Sequence, residues 1–304
     1  MKRRDFIIQT TAATSLITLG GLSLSSFDSK KTKQITILHT NDTHSHLDTF
    51  SSSDPNYPNQ GGAAKRSTIF NAIKAENPNT LILDAGDMFQ GTPYFNYYGG
   101  ELEIKIMNML QYDAATLGNH EFDNGINSLA EQIAKANFKI INANYNFKNT
   151  LMDGLTQPYK IFMKDGIKIG VFGLGIKLEG IVNKSEYGET VYNHPIEIAQ
   201  DMTRILKHEM KCDLVICLSH LGYSYGENSQ VISDVILAKK TKDIDLIVGG
   251  HTHTFLDKPT VLLNAEGKEV IINQVGCYGV RVGRIDFHFD HLNNKTTTSK
   301  VITV

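Results

Sequence analysis

The chain has 304 residues, 41% of them hydrophobic and 20% charged, enough apolar material to bury a large core in one domain or little more than one. A formal net charge of -2 removes any general electrostatic reason to bind nucleic acid. Cys212, Cys217 and Cys277 are odd in number and show no C-x-x-C spacing, which argues against a disulfide framework and against a thiolate zinc site.

In chain order, residues 1–27 read as a leader rather than as part of a fold. Lys2, Arg3 and Arg4 precede Asp5-Phe6-Ile7-Ile8 and a mildly apolar stretch through Leu24, a basic head with a hydrophobic middle. R-R-D-F-I resembles a twin-arginine export signal, the alternative being a general secretory signal that carries two arginines. Thr and Gly interrupt the run and disfavour a spanning anchor, so membrane contact is expected only transiently, through the signal. The mature protein is expected to be periplasmic or otherwise exported, with residues 33–304 forming one catalytic domain.

From Lys33 onward strands alternate with helices, the pattern of an α/β fold. Helical spacing covers Gly61 to Ala75, Glu101 to Leu110 and Ile126 to Ala136; short strands are predicted at Phe138 to Asn142, Ile161 to Met163, Ile167 to Leu174, Val270 to Gln274 and Val282 to Phe289. Lys164-Asp165-Gly166-Ile167 predicts a hairpin, hence antiparallel pairing. Cys212 and Cys217, five apart around one predicted strand, are expected to point to opposite faces as packing residues, as is Cys277.

Five apolar runs end in clusters of metal-type ligands. Ile35 to Leu38 leads into H-T-N-D-T-H-S-H, Leu81 to Leu83 into D-A-G-D, Ala114 to Leu117 into G-N-H-E, Val215 to Leu218 into S-H, and Ile244 to Val248 into G-G-H-T-H. Ligands gather outside the carboxyl ends of strands in open α/β sheets, so the recurrence itself points to convergent coordination.

Each cluster has a chemical reading and a plainer one. Asp42 and His44, one residue apart on a strand-like exit, can share a metal, although Asn41-Asp42-Thr43 could equally cap a helix. Of Asp84 and Asp87, either could be an ordinary turn aspartate; Asp87, beyond Gly86, is the choice for a carboxylate bridging two mutually repelling cations. Asn119 can offer an amide oxygen to a hard cation, and His120 suits substrate chemistry. A helix starting there brings His120 and Asp123 together at i, i+3; Glu121 reads as an acidic residue favoured in a first helical turn. His220 alone could be a buried histidine on a carbonyl, whereas His251 and His253 after paired glycines are hard to place unless something binds both. His39 is expected to pack inward, and His46 is left without a role.

Taken in order, Asp42-x-His44, Gly86-Asp87, Gly118-Asn119-His120-Glu121, Ser219-His220 and Gly250-His251-x-His253 resemble the calcineurin-like metallophosphoesterases. L-H-T-N-D-T-H-S-H, G-D-M-F-Q-G-T-P and Y-D-A-A-T-L-G-N-H-E-F-D-N-G are similar, more narrowly, to the catalytic domain of the 5′-nucleotidase family, from about Ile35 to Phe289. The resemblance implies a four-layer α/β/β/α sandwich of two mixed sheets flanked by helices, with metals on loops at one edge. It implies two divalent ions, zinc, manganese or iron: one held by Asp42, His44, Asp87 and His253, the other by Asp87, Asn119, His220 and His251. By the same analogy His120 and Asp123 are the catalytic pair, Asn119 and His120 meet the substrate phosphate, and metal-activated water attacks phosphorus. Members of that family usually carry a C-terminal domain that holds the nucleobase. None is read up to Val304, so the expectation is a nucleotide phosphohydrolase completed by a separate nucleotide-binding chain. The alternatives are a hydrolase of another phosphoester, such as a UDP-sugar, a cyclic nucleotide or a non-nucleotide ester, and a catalytically silent metal-binding subunit. Tyr278, Arg281 and Arg284 are expected to be structural.

Overall fold

The computed structural model describes residues 32–226, 229–292 and 294–304; the leader expected in residues 1–27 lies outside them. The chain enters at β1 (Lys33–Thr40) and crosses through α1 (Ala63–Glu76) to β2 (Thr80–Asp84). It passes α2 (Pro93–Tyr98) and α3 (Glu101–Met109) to β3 (Ala114–Ala115), then a 3-10 turn (His120–Phe122) and α4 (Gly125–Ile133) to β4 (Lys139–Ile140). A small pair, β5 (Tyr145–Asn146) with β8 (Val191–Tyr192), stands apart from the large sheets. Between its strands come β6 (Tyr159–Lys164), β7 (Ile167–Leu174) and α5 (Lys184–Tyr187). There follow α6 (Pro195–Thr203), prolonged by a π-helical segment (Arg204–Glu209), then β9 (Leu214–Ser219), α7 (Asp234–Lys240) and β10 (Leu246–Gly249). Strands β11 (Thr260–Leu263), β12 (Glu269–Asn273), β13 (Arg281–Phe289) and β14 (Lys295–Thr303) complete the chain.

Two six-stranded mixed sheets result, in the orders β14-β13-β1-β2-β3-β4 and β11-β12-β10-β9-β7-β6. Strands β1 to β4 are mutually parallel, as are β7, β9, β10 and β12, while β13 runs antiparallel to β1 and the hairpins β13–β14, β11–β12 and β6–β7 supply the other antiparallel pairs. The predicted turn is there: Asp165 and Gly166 both have positive φ, 48° and 74°, as a two-residue hairpin whose twist matches its strands requires.

The four layers follow from burial. Ile35, Leu81, Ala114 and Phe287 of one sheet meet Ile169, Leu214, Ile216 and Leu246 of the other in a core between the sheets. The outer face of the first sheet is covered by α1, α3 and α4 through Phe70, Ile104 and Leu129, and that of the second by α6 and α7 through Ala199 and Leu237. With both faces covered, the inner strands are continuously apolar, which is why they read as runs rather than as alternation. Among the described residues no helix is long and apolar enough to cross a membrane.

Two expectations are corrected. Cys212, just before β9, packs in the same outer cluster as Cys217 instead of on the opposite face. The strands expected at Ala114 to Leu117 and Phe138 to Asn142 shrink to two residues each, the first because the backbone beyond it already bends into a ligand-bearing loop, the second because Ile141 pairs with Gln157 only as an isolated bridge.

Candidate metal centre

The exits of β1, β2, β3, β9 and β10 converge at one edge of the sandwich. Three groups of side chains each bring ligand atoms within 4.8 Å of one another: Asp42, His44 and His253; His44, Asp87 and His120; and Asp87, His220 and His251. Asp87 belongs to two of them. Asn119 joins through its amide oxygen, 2.8 Å from His251 Nδ1. All seven residues expected as ligands, together with His120, are thus in one place. Asp84 is not: it turns inward to Thr40 Oγ1 at 2.5 Å and accepts from Gly86 N–H.

The loops reach this geometry through left-handed backbone. Asp42, His44, Ser45, Asp87, His251 and His253 have φ between 48° and 71°, sparsely populated for residues other than glycine and tolerated where surrounding structure over-determines them. Asp42 and His44 therefore meet through a curled loop and not on the strand-like exit expected. Glycine supplies clearance: a Cβ on Gly118 would sit 2.2 Å from Asp87 Oδ1 and 2.6 Å from His220 Nε2.

Backbone carbonyls fix the histidine tautomers. His220 Nδ1 lies 2.7 Å from the Ala85 carbonyl and His44 Nδ1 3.2 Å from that of Phe89, so each Nδ1 carries the proton and each Nε2 presents a lone pair inward. There His220 Nε2 stands 3.0 Å from Asp87 Oδ2 without a hydrogen-bond partner, and His44 Nε2 stands 2.9 Å from His253 Nε2. A lone pair of His220 aimed at the Asp87 carboxylate in a buried site is repelled by it unless a positive charge sits between them. Without a cation a proton takes that place. Burial disfavours a charged His220, but Asp87 and Asp42 outweigh it and carry the imidazole up to about 10. Burial opposes ionisation of Asp87 too, yet the surrounding imidazoles, His220 foremost, hold its carboxyl well below the ordinary range; Asp42 is pushed well above it by burial. Burial lowers His44 and His251 to about 4, leaving both as free bases at neutral pH. Carboxylate, neutral imidazole and amide oxygen form a donor set that suits divalent zinc, manganese or iron, so these residues fit a cation.

Beside the cluster, His120 Nδ1 is 2.7 Å from Asp123 Oδ2, held at i, i+3 by the 3-10 turn. The Asp123 carboxylate raises the imidazole to about 9 against the opposing effect of burial. His120 N–H also donates to Asp87 Oδ1 at 2.8 Å.

Other polar residues hold the loops in place. Glu121, expected merely to favour a first helical turn, is 1% exposed and accepts from the backbone N–H groups of Gly118, Asp87, Met88 and Phe89 at 2.6–3.1 Å. It clamps the β2 exit to the β3 exit. Asn41 donates to Asp42 and to the Gly276 carbonyl and accepts from Val275 N–H; its only signal in the sequence is its place beside Asp42. Asp234, raised by burial to about 8, accepts from Ser219 Oγ and lies under Gly249, bracing the exits of β9 and β10. His39 packs inward as expected, on Asn273 at 2.9 Å. Arg284 is structural, paired with Glu76 and Asp286, whereas the Tyr278 ring comes within 6.0 Å of His44 and 5.9 Å of His253.

A sandwich of two mixed sheets with an aspartate-centred, histidine-rich cluster at its edge defines the metallophosphoesterase class of hydrolases. Residues 35–255 match the model of the calcineurin-like phosphoesterases, and the chain belongs to that family. It is 36% identical over 289 residues to the trifunctional nucleotide phosphoesterase YfkN of Bacillus subtilis, covering 84% of this chain and 18% of the relative. It is 32% identical over 309 residues to the 5′-nucleotidase of Bos taurus, covering 95% of this chain and 52% of the relative. The crystal structure of a 5′-nucleotidase precursor from Thermus thermophilus superposes with a TM-score of 0.78 at 33% identity, over 90% of this chain and 55% of that one. The chain thus spans about half the length of the two 5′-nucleotidases.

Proposed function

We propose that residues 33–304 form the catalytic domain of an exported phosphohydrolase that cleaves phosphate monoesters of nucleotides. The observation that carries this reading is the meeting, around Asp87, of ligands from both sheets beside an intact His120–Asp123 pair. Asp42, His44 and His253 would hold one cation and His220, His251 and Asn119 a second, with Asp87 between them. Divalent cations bound there supply Lewis acidity toward phosphoryl oxygens and lower the pKa of water.

The chain's own residues do the rest. Asn119 and the half-buried His120 orient the phosphoryl group. His120, with Nδ1 tied to Asp123, turns Nε2 toward the ester and delivers the proton that the departing alkoxide needs. A pure metal-binding subunit has no use for that pair, which weighs against a silent role. The nucleotide assignment draws on the relatives' names, and the base would be held partly by residues beyond this chain, in the same polypeptide or in one that docks to it. Export draws on Arg3 and Arg4, and is tested by replacing both with lysine: unchanged export would remove the twin-arginine route.

The deciding assay incubates the full chain with manganese or zinc and follows phosphate release from p-nitrophenyl phosphate, AMP, a UDP-sugar and a cyclic nucleotide. AMP and the aryl ester are expected to turn over and EDTA to stop both. Turnover of the aryl ester without AMP would leave a phosphoesterase of another substrate; inertness toward all four, with metal bound, would favour the silent subunit.

A further inference from the structure

Beneath the loops that carry the metal ligands lies a small buried cavity with polar walls. They include Thr43, between the ligands Asp42 and His44, and Met88, which follows Asp87, so the cavity lies directly against both ligand loops. Arg66 of α1 and Glu103 of α3 reach it from the covering helices, with Asp84 and Tyr112 beside them. Its volume is about 10 Å³, room for one water molecule and for nothing larger.

Two of the lining side chains are charged, buried and incompletely answered. Arg66 is 3% exposed and its Nε–H has no acceptor; Glu103 is 2% exposed and its Oε2 has no donor. The other carboxylate oxygen of Glu103 accepts from the hydroxyl of Ser45, next to His44. Asp84 is already satisfied, since its two oxygens accept from Thr40 Oγ1 and Gly86 N–H. One lone donor and one lone acceptor of opposite charge therefore border a space the size of one water. An ion stranded in a buried site is strongly unfavourable, and buried waters join groups of this kind.

Both ends of this pair lead to the loop that carries Asp42 and His44. Glu103 holds Ser45, whose φ of 55° is left-handed like the 48° of His44. Arg66 packs against Gly279 so closely that no Cβ fits there, and the neighbouring Tyr278 N–H donates to the Asp42 carbonyl at 2.7 Å. Backbone in the left-handed region persists only where its surroundings hold it. We infer that one buried water joins Arg66 Nε to Glu103 Oε2, and that this bridged pair is a positioning device that keeps the Asp42 and His44 loop in the shape its metal requires. The inference rests on the metal-centre reading above. Neither side chain is a ligand; both act through the loop.

High-resolution crystallography of the full chain is expected to place one water within hydrogen-bonding reach of both atoms; an empty cavity, or direct contact of Arg66 with Glu103, overturns the bridge. Urea melts in EDTA then test the pairing in Arg66→Met, Glu103→Gln and their combination. Each single change strands one buried charge and lowers the midpoint, while the double variant is expected to lose less than the sum of the two. Additive losses overturn the pair. Zinc titrations by calorimetry test the positioning: in the folded double variant Kd is expected to weaken about tenfold, the low end for groups that support metal ligands, because the loop has lost its brace even where stability has returned. Arg284→Ala, paired with Glu76 and Asp286 instead, should bind zinc as the parent does. An unchanged Kd in the double variant overturns the positioning role. If the parent itself took up no zinc, the metal centre would fall and the positioning role with it, whereas the coupling in EDTA would stand or fall on its own.

Discussion

At the scale of single residues, His120 and Asp87 divide the labour, and substitution should separate them. His120 is held at Nδ1 by Asp123 and donates its backbone N–H to Asp87, so His120→Ala is expected to leave metal content unchanged by elemental analysis while lowering kcat about 10²- to 10⁴-fold. A loss of metal together with activity would instead make His120 a ligand. Asp123→Asn keeps a hydrogen-bonding partner for Nδ1 but removes the charge, so its loss in kcat should be smaller than that of His120→Ala. Gly118→Ala is the opposite case. Its new methyl would stand 2.2 Å from Asp87 Oδ1, so stoichiometric metal uptake should fail while the circular dichroism spectrum stays native. Normal uptake would mean that the β3 exit can yield by the ångström needed.

At the scale of elements, the centre depends on how five strands end. Glu121 ties two of these exits together through four backbone N–H groups. Glu121→Gln keeps the size but turns an amide NH₂ toward two of those donors. Each N–H stranded in a buried site costs about 1–3 kcal/mol, so the urea midpoint should fall by the equivalent of at least one such loss and metal affinity should fall with it. An unchanged midpoint would show that the loops do not need the clamp. The sequence hid Glu121 because an acidic residue next to a helix start has a commonplace explanation, and three of the four buried N–H groups it serves belong to residues 87–89, far back in the chain. Strand cores such as Val215 to Leu218 were legible as apolar runs, since they are covered on both faces. The exits were legible in residue type but not in shape: Asp42 and His44 meet through positive φ, which no spacing rule for strands anticipates. The place of Tyr278 was hidden for a related reason, because only the turn between β12 and β13 brings it from a glycine-rich stretch to the rim of the centre.

At the scale of the whole molecule, the candidate centre spans the two sheets. Asp42, His44, Asp87 and Asn119 leave the first sheet at β1, β2 and β3, whereas His220, His251 and His253 leave the second at β9 and β10. Apolar packing between the sheets is non-directional and does not by itself set their register at this edge. Cations ligated from both sides would set it, and would bind the folded chain far better than the unfolded one, where the ligands are scattered over some two hundred residues. Linkage then fixes the size of the effect. Free metal at a hundred times its Kd adds about 2.7 kcal/mol. For a domain of this size that corresponds to a rise in Tm of roughly 5–10 °C. Thermal melts in EDTA and at increasing zinc or manganese should show that rise, continuing with metal concentration. Asp87→Asn, which weakens the carboxylate shared by both halves, should flatten most of it, while Arg284→Ala, on the far pairing with Glu76, should melt with the same metal dependence as the parent. If Tm were indifferent to chelation and to added metal, the two sheets would be joined by packing alone, and a proton on His220 would take the cation's place beside Asp87.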